Sequence, residues 1–250
     1  MKRYFLIGLI CLLLSPITAW SESIVISVEN RDFYPFFFLE NKNMPRGILL
    51  DMVKDGLAPL GIEAKFEPLP LKRGLKMVER GSVDAIIAPR VNNDNFLLPD
   101  DAFKKDLSAQ RILQIDSVVV TYRSDYEFLG DIKTLPTPIR ITLGDPIESL
   151  FKQQGLSIDD AASGSHNIKK LMRDKKGCII TTSLKAITWL DDPKFKDNID
   201  VSTEPVVSRS YFLIFSKKTG LAQDKVKLVW NEIAKNREDY IYPIKLFTAY

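Results

Sequence analysis

Short apolar strands alternate with amphipathic helices near the start of the chain, and no other feature constrains the fold as strongly. The predicted strands are Ile24–Val28, Ala64–Glu67 and Asp84–Ala88, all rich in apolar residues. The predicted helices are Arg46–Leu60 and Lys72–Arg80, in which apolar residues recur at helical spacing. Strands that alternate with helices pair in parallel through right-handed crossovers, so the sequence predicts an α/β fold.

The first residues predict a signal peptide, which we assign to residues 1–21. Lys2 and Arg3 provide a basic start, and Tyr4–Leu14 is an apolar run too short to span a bilayer comfortably. Small residues at Ala19 and Ser21 offer a cleavage site, with cleavage after Ser21 as our first choice and after Ala19 as the second. We therefore expect an exported protein that resides in the periplasm.

Composition excludes several classes of function. The chain has 35 basic and 32 acidic residues, which is not the charge pattern of a nucleic-acid-binding protein. Only Cys178 follows the predicted signal peptide, so neither an intramolecular disulfide nor a cysteine zinc site is expected. The lone histidine, His166, has no metal-binding or catalytic motif around it. We expect no cofactor, no metal and no enzymatic activity.

A second α/β unit follows the first. Its predicted strands are Asp116–Tyr122, Arg140–Leu143, Cys178–Thr181, Ile199–Ser202 and Tyr211–Ser216. Its predicted helices are one that opens at Asp145, Asn167–Arg173 and Ser183–Leu190, and two further helices, around Val226–Ala234 and over Glu238–Phe247, end the chain. We assign residues 22–113 and 208–250 to a first lobe and residues 114–207 to a second.

Three elements in order resemble a known family. Asp32–Phe38 resembles a Tyr-Pro-Pro-Phe element, Arg46–Asp51 resembles a Gly-x-x-x-Asp helix start, and Pro70–Ile86 resembles the helix and strand that follow. The chain is similar to the family 3 extracellular solute-binding proteins, the periplasmic receptors of polar amino-acid ABC uptake systems. The resemblance implies the type II fold: two lobes, each a mainly parallel sheet flanked by helices, with a two-strand hinge. It also implies ligand capture between the lobes and a membrane permease as partner. We expect a monomer.

The chain departs from that family at two ligand-binding positions. The family's receptors place an arginine a few residues after the third strand, where this chain has Asn92–Asn95. They place an aspartate after the second lobe's buried strand, where this chain has Thr182. We therefore predict a small polar ligand, amino-acid-like or another organic anion, and little preference for ordinary α-amino acids.

The loops that follow the strands supply the candidate ligand-binding residues of the first lobe. Tyr34 and Phe36 lie on the same side of an extended segment and could form an aromatic wall, although Phe36 could equally fill the core. Arg90 directly follows the third strand and could clamp a carboxylate, or it could form a surface ion pair with Asp94. Arg73 opens a helix and could face either the cleft or solvent.

Three further candidates lie in the second lobe. Asp145 and Ser183 are predicted to cap helices whose N-termini face the cleft, and Thr182 ends the strand before Ser183. Two alternatives to a transport receptor remain open at this point. One is a periplasmic dehydratase-type enzyme on the same scaffold, with Asp145 and His166 as the acid and base, and the other is a ligand-sensing module for a membrane receptor.

Overall fold

The computed structural model describes residues 22–248 except 32, 42–43, 101, 103–108, 124–125 and 146, with side chains as far as residue 240. The predicted signal peptide lies outside these residues. Within the described part of the chain, no helix is both long and apolar enough to cross a membrane.

The described residues form twelve β-strands and six α-helices. The strands, β1 to β12 in chain order, are Glu22–Glu29, Phe38–Glu40, Met44–Arg46, Ile62–Leu69, Ala85–Pro89, Phe96–Leu97, Leu113–Tyr122, Ile139–Thr142, Ile158–Ala161, Cys178–Thr182, Ile199–Val201 and Val207–Ser216. The helices, α1 to α6, are Ile48–Leu57, Leu71–Arg80, Glu148–Gln153, Gly164–Asp174, Ser183–Leu190 and Gln223–Thr248. Short 3-10 turns lie at Ala58–Leu60 and Ile132–Thr134.

One continuous sheet runs through the molecule in the order β4-β1-β5-β12-β7-β10-β8-β9. Strands β4, β1 and β5 are parallel at one end, and β10, β8 and β9 are parallel at the other. We call the part around the first three strands lobe 1 and the part around the last three lobe 2. The predicted α/β class, with a mainly parallel sheet in each lobe, is confirmed.

Two long antiparallel strands, β7 and β12, carry the sheet from one lobe to the other. Strand β12 pairs with β5 of lobe 1 through Tyr211–Phe215 and with β7 through Val207–Tyr211. Strand β7 pairs with β12 through Leu113–Ser117 and with β10 of lobe 2 through Ser117–Thr121. Each strand therefore belongs to both lobes, which is the arrangement that a two-strand hinge requires.

Helices cover both faces of the sheet because each buries an apolar stripe. In lobe 1, α1 and α6 pack over the face that carries Ile24 and Ile26, and α2 covers the opposite face with Val78. In lobe 2, the two faces bury separate apolar clusters, one around Phe151 and one around Trp189. The α/β layering places the carboxyl ends of the strands of both lobes along one edge, where ligands bind in such folds.

The structure differs from the sequence predictions in several elements. The two predicted C-terminal helices form one helix, α6. Strand β9 was not predicted, because two aspartates in a four-residue edge strand hide its pattern. Helix α4 begins at Gly164, three residues before its predicted start, because Ser163 caps it.

Candidate functional site

A cavity of about 150 Å³ lies between the two lobes. Lobe 1 contributes Arg31, Phe33 and Tyr34 from the loop after β1. Lobe 2 contributes residues at the ends of β8 and β10 and at the starts of α4 and α5: Thr142, Asp145, Ala162, Ser163, Gly164, Ser165, Ile180, Thr181, Thr182 and Lys185. The cavity therefore occupies the carboxyl edge of the sheet.

Arg31 is the most constrained charged residue of the cavity. Its guanidinium carbon lies 4.4 Å from the ring centroid of Phe33 and 5.6 Å from that of Phe37. Its Nε lies 2.8 Å from Glu29 Oε2, and the side chain is 20% exposed. Burial, the largest single cause, would lower the pKa of Arg31, but the combined effect of Glu29, Tyr211 and Asp145, with Glu29 the largest of the three, raises it. Arg31 is therefore a fixed cation at the cavity.

The aromatic loop divides between the cavity and the core. Tyr34 is 53% exposed and lines the cavity. Phe36 is 3% exposed and packs in the lobe 1 core with Phe37, so the prediction that Phe36 faces the cleft is wrong. Phe33, which was not singled out from the sequence, lines the cavity and packs against the rings of Phe36 and Phe37 at centroid distances of 5.2 and 5.1 Å.

Two helix N-termini of lobe 2 face the cavity. Ser163 caps α4, with its hydroxyl accepting from the backbone N–H of His166, and Thr182 caps α5 by accepting from Lys185 N–H. Ser183 was predicted to cap α5, but it is the first helical residue and does not line the cavity. Helix N-termini carry partial positive charge, which favours negative groups in this part of the cavity.

Asp145 lies in the turn before α3 and lines the cavity. Its Oδ1 accepts a hydrogen bond of 2.9 Å from the backbone N–H of Ile147, and its carbonyl accepts one of 3.0 Å from the N–H of Glu148. The first of these is the bond that a capping side chain makes to the start of a helix, although α3 as bounded begins at Glu148. The same oxygen lies 3.7 Å from Arg209 Nη1 on hinge strand β12. Asp145 thus forms an ion pair that joins lobe 2 to the hinge.

Tyr211, also on β12, lies close enough to Arg31, Arg209 and Asp145 for their charges to affect its pKa. It is buried, and its ring lies 6.3 Å from that of Phe33. Burial raises the pKa of Tyr211 to about 12, against the smaller opposing effect of the Arg31 charge. The phenol therefore stays neutral and contributes no charge near the cavity.

Lys185 is the cation of the lobe 2 wall. It occupies the first turn of α5, and its Nζ lies 5.8 Å from the ring centroid of Tyr34 across the cleft and 6.0 Å from that of Trp189. A contact between Lys185 and Tyr34 joins the two lobes at the cavity. Among the described residues, no carboxylate forms an ion pair with Lys185.

The remaining sequence candidates do not reach the cavity. Arg90 is exposed, and its Nη1 donates to the Ala102 carbonyl at 3.3 Å. Arg73 is exposed in the first turn of α2. Neither residue lines the cavity in the described part of the chain, so the expectation that Arg90 projects into it is wrong. Of the predicted site residues, the structure brings together Tyr34, Asp145 and Thr182.

Sequence reasoning missed Arg31, Ser163 and Lys185. Arg31 follows the carboxyl end of β1 in the same loop as the aromatic residues, and that position was its signal. Ser163 begins a Ser-Gly-Ser segment at a helix start, but the predicted start of α4 was three residues late. Lys185 lies inside a helix, and no local pattern marks it as a cavity residue.

The dehydratase-type enzyme considered from the sequence would need His166 and Asp145 to face each other across the cavity as its acid and base. His166 Nδ1 instead lies 2.7 Å from Ser163 Oγ, and the ring does not line the cavity. Among the residues that the structure describes, no cluster of three or more histidine, cysteine or acidic side chains could hold a metal ion.

Comparison with known proteins identifies the fold. No protein-family model matches the chain, and no curated protein matches it. Solved structures do match. The GluR0 ligand-binding core from Nostoc punctiforme, in complex with L-glutamate, has a TM-score of 0.59 at 15% identity, over 88% of this chain and 95% of that chain.

Two further binding proteins match to a similar extent. The L-cystine solute receptor of Neisseria gonorrhoeae, in an unliganded open conformation, has a TM-score of 0.57 at 13% identity, over 88% of this chain and 89% of that chain. An amino acid ABC transporter substrate-binding protein from Streptococcus pneumoniae, bound to L-arginine, has a TM-score of 0.57 at 17% identity, over 87% and 90%. The chain has the two-lobed type II fold of these binding proteins. The fold that the sequence resemblance implied is confirmed.

Proposed function

We propose that this protein is a solute-binding receptor that captures a small polar ligand between its two lobes and presents it to a membrane permease. One observation carries the proposal: a cavity whose wall comes from both lobes, at the carboxyl edge of a sheet that two strands carry across the hinge. A ligand that contacts both walls favours the closed arrangement over the open one, so binding and closure are coupled.

We also propose boundaries for the two lobes and a cellular location for the protein. Lobe 1 comprises residues 22–113 and 208–250, and lobe 2 comprises residues 114–207, because the pairing partners of β7 and β12 change near these boundaries. The signal sequence directs the chain to the periplasm, where a permease of the ABC type is the partner. The molecules bound in two of the similar structures, glutamate and arginine, are amino acids.

Binding is better supported than catalysis. The acid–base pair of the enzyme alternative is not assembled, since His166 bonds to Ser163 and Asp145 is paired with Arg209. A carboxylate that is held in an ion pair, as Asp145 is, stabilises structure, whereas a general base must lie within reach of the proton that it removes.

The experiment combines native mass spectrometry with X-ray scattering. Freshly purified protein should carry a small molecule that denaturing mass spectrometry releases. Returning that molecule to stripped protein should reduce the radius of gyration, because the lobes close. A bound molecule that leaves the radius unchanged, or whose affinity is unaffected by Tyr34→Ala, would place binding outside the cleft and contradict the proposal.

A further inference from the structure

The described charges at the cavity form two ion pairs, and one further cation has no ionic partner among the described residues. Arg31 is paired with Glu29, and Asp145 is paired with Arg209. Lys185 remains uncompensated among the described residues. Among the described residues that line the cavity, Asp145 is the one with an acidic side chain. The described residues therefore give the site a net positive charge, which favours a ligand of net negative charge.

Arg31 is arranged to receive a carboxylate. Glu29 Oε2 lies 2.8 Å from Nε, and the rings of Phe33 and Phe37 lie beside the guanidinium carbon at 4.4 and 5.6 Å. Among the described residues, the two terminal nitrogens of Arg31 donate no hydrogen bond. A guanidinium fixed in this way can give two parallel hydrogen bonds to one carboxylate. Lys185 provides a second cationic group on the opposite wall, in lobe 2.

In the part of the cavity wall that the structure describes, an α-ammonium group has no comparable partner. Asp145 already accepts Ile147 N–H and lies 3.7 Å from Arg209, so an ammonium would compete with both for its charge. The family's aspartate position is Thr182, whose hydroxyl is used as a helix cap. A ligand without an amine avoids this competition and the cost of an unpaired buried charge.

We propose that the cavity takes a small dicarboxylate without an α-ammonium group, with one carboxylate on Arg31 of lobe 1 and the other on Lys185 of lobe 2. This inference rests on the proposed function, because it assigns the ligand class of the same cleft. A dicarboxylate that bridges the two cations also supplies the contacts to both lobes that closure needs.

The first test uses titration calorimetry with succinate and glutarate, compared with glutamate, butyrate and putrescine. We expect succinate or glutarate to bind at least about ten times more tightly than glutamate or butyrate, and putrescine not to bind, because each lost or repelled ion pair costs at least that factor. Binding of glutamate as tight as that of glutarate would overturn the inference, because glutamate is glutarate with an α-ammonium group. Absence of binding by both dicarboxylates would overturn it equally.

The second test assigns the two carboxylates to their residues. Lys185→Gln and Arg31→Lys should each weaken dicarboxylate binding at least about tenfold, the second because an ammonium cannot replace the two-pronged hydrogen bonding of a guanidinium. Lys169→Gln is the matched control, since it removes an exposed positive charge from α4 outside the cavity and should leave binding within twofold. Unfolding curves of each variant establish that it is folded. A Lys185→Gln protein that binds dicarboxylates like the parent would overturn the inference.

The two proposals fail in different ways. If native mass spectrometry finds an amine or a neutral molecule in the cleft and the lobes close on it, the receptor function stands and the dicarboxylate assignment is wrong. If succinate binds but the radius of gyration does not change, the ligand class stands and the closure mechanism is wrong.

Discussion

Tyr34 and Phe36 lie two positions apart but in opposite environments. An extended segment would place both side chains on one face. The loop instead turns tightly here, with Phe36 N–H and Phe37 N–H both donating to the Phe33 carbonyl at 2.9 and 3.2 Å. Tyr34 is therefore directed to the cavity, while Phe36 joins the core. The same loop supplies a wall for the ligand and an anchor in the lobe beneath it.

Truncating these two aromatic side chains should separate their roles. Phe36→Ala should lower the free energy of unfolding by about 3–5 kcal/mol, the usual loss when a buried phenylalanine leaves a cavity. Tyr34→Ala should change it by less than about 0.5 kcal/mol, because the side chain is half exposed. Urea unfolding monitored by circular dichroism measures both values. Equal losses for the two variants would mean that Tyr34 is also a core residue.

The thiol of Cys178 should be unreactive in the native protein. Burial raises its pKa from 9.0 to about 12, so the reactive thiolate is absent near pH 8. Because the thiol binds its proton more tightly in the folded state, the free energy of unfolding does not change with the titration of Cys178 below pH 9, and it falls as the pH rises from 9 toward 12. We expect iodoacetamide to label the peptide that contains Cys178 only after unfolding in urea, as measured by mass spectrometry. Labelling at the same rate in native protein would show that the site opens readily.

At the scale of elements, the helices of lobe 2 orient the cavity wall through their caps. The side chains of Ser163 and Thr182 each accept a backbone N–H from the first turn of their helix. Each cap residue also lines the cavity. The residues that fix where α4 and α5 begin therefore also shape the surface that a ligand meets.

Adjacent substitutions can test the assigned cap of α5. Thr182→Ala should lower the free energy of unfolding by about 1 kcal/mol, because the Lys185 N–H loses its acceptor. Ser183→Ala should have an effect below about 0.5 kcal/mol, since alanine is well tolerated at the first helical position. Thermal and urea unfolding of both variants provide the comparison. A larger loss for Ser183→Ala would reverse the assignment of the cap.

The sequence predicted elements better than it predicted the site. Strands such as Cys178–Thr182 are buried and rich in β-branched residues, so local composition identifies them. Of the residues that line the cavity, Tyr34, Asp145 and Thr182 were selected from the sequence because they follow the ends of strands. Phe36 was misassigned because side-chain direction depends on a turn that no local pattern revealed. Lys185 was missed because a helical lysine normally faces solvent, and only the approach of lobe 1 makes it a cavity residue.

At the scale of the whole molecule, the last helix stabilises the strand that enters the hinge. Arg237 of α6 is largely buried, and its Nη1 donates to the carbonyls of Ala109 and Arg111 at 2.9 and 2.7 Å, directly before β7. Burial, followed by the nearby Arg111 charge, lowers the pKa of Arg237. These two bonds hold the start of a strand that both lobes share.

Removing this arginine should affect the stability of the whole protein. Arg237→Met should lower the free energy of unfolding by about 2–3 kcal/mol, because two carbonyls lose a charged donor while the apolar stem is kept. Lys235→Met is the control, with a side chain that is 74% exposed and an expected change below about 0.5 kcal/mol. Urea unfolding measures both, and similar values for the two variants would show that Arg237 does not fix the hinge strand.

The path of the sheet also determines the order in which the molecule can be completed. Lobe 2 is formed by consecutive residues. In lobe 1, however, β5 pairs with Tyr211–Phe215 of β12, and the apolar face of α1 packs against α6, so both contacts need residues from late in the chain. Because synthesis proceeds from the N-terminus, the growing chain has an unpaired strand edge and an uncovered apolar surface until nearly all of it has been made. Such edges are prone to aggregation, and pairing over long sequence separation is slow. Lobe 1, which is the first to be synthesised, is therefore the last to complete its folding.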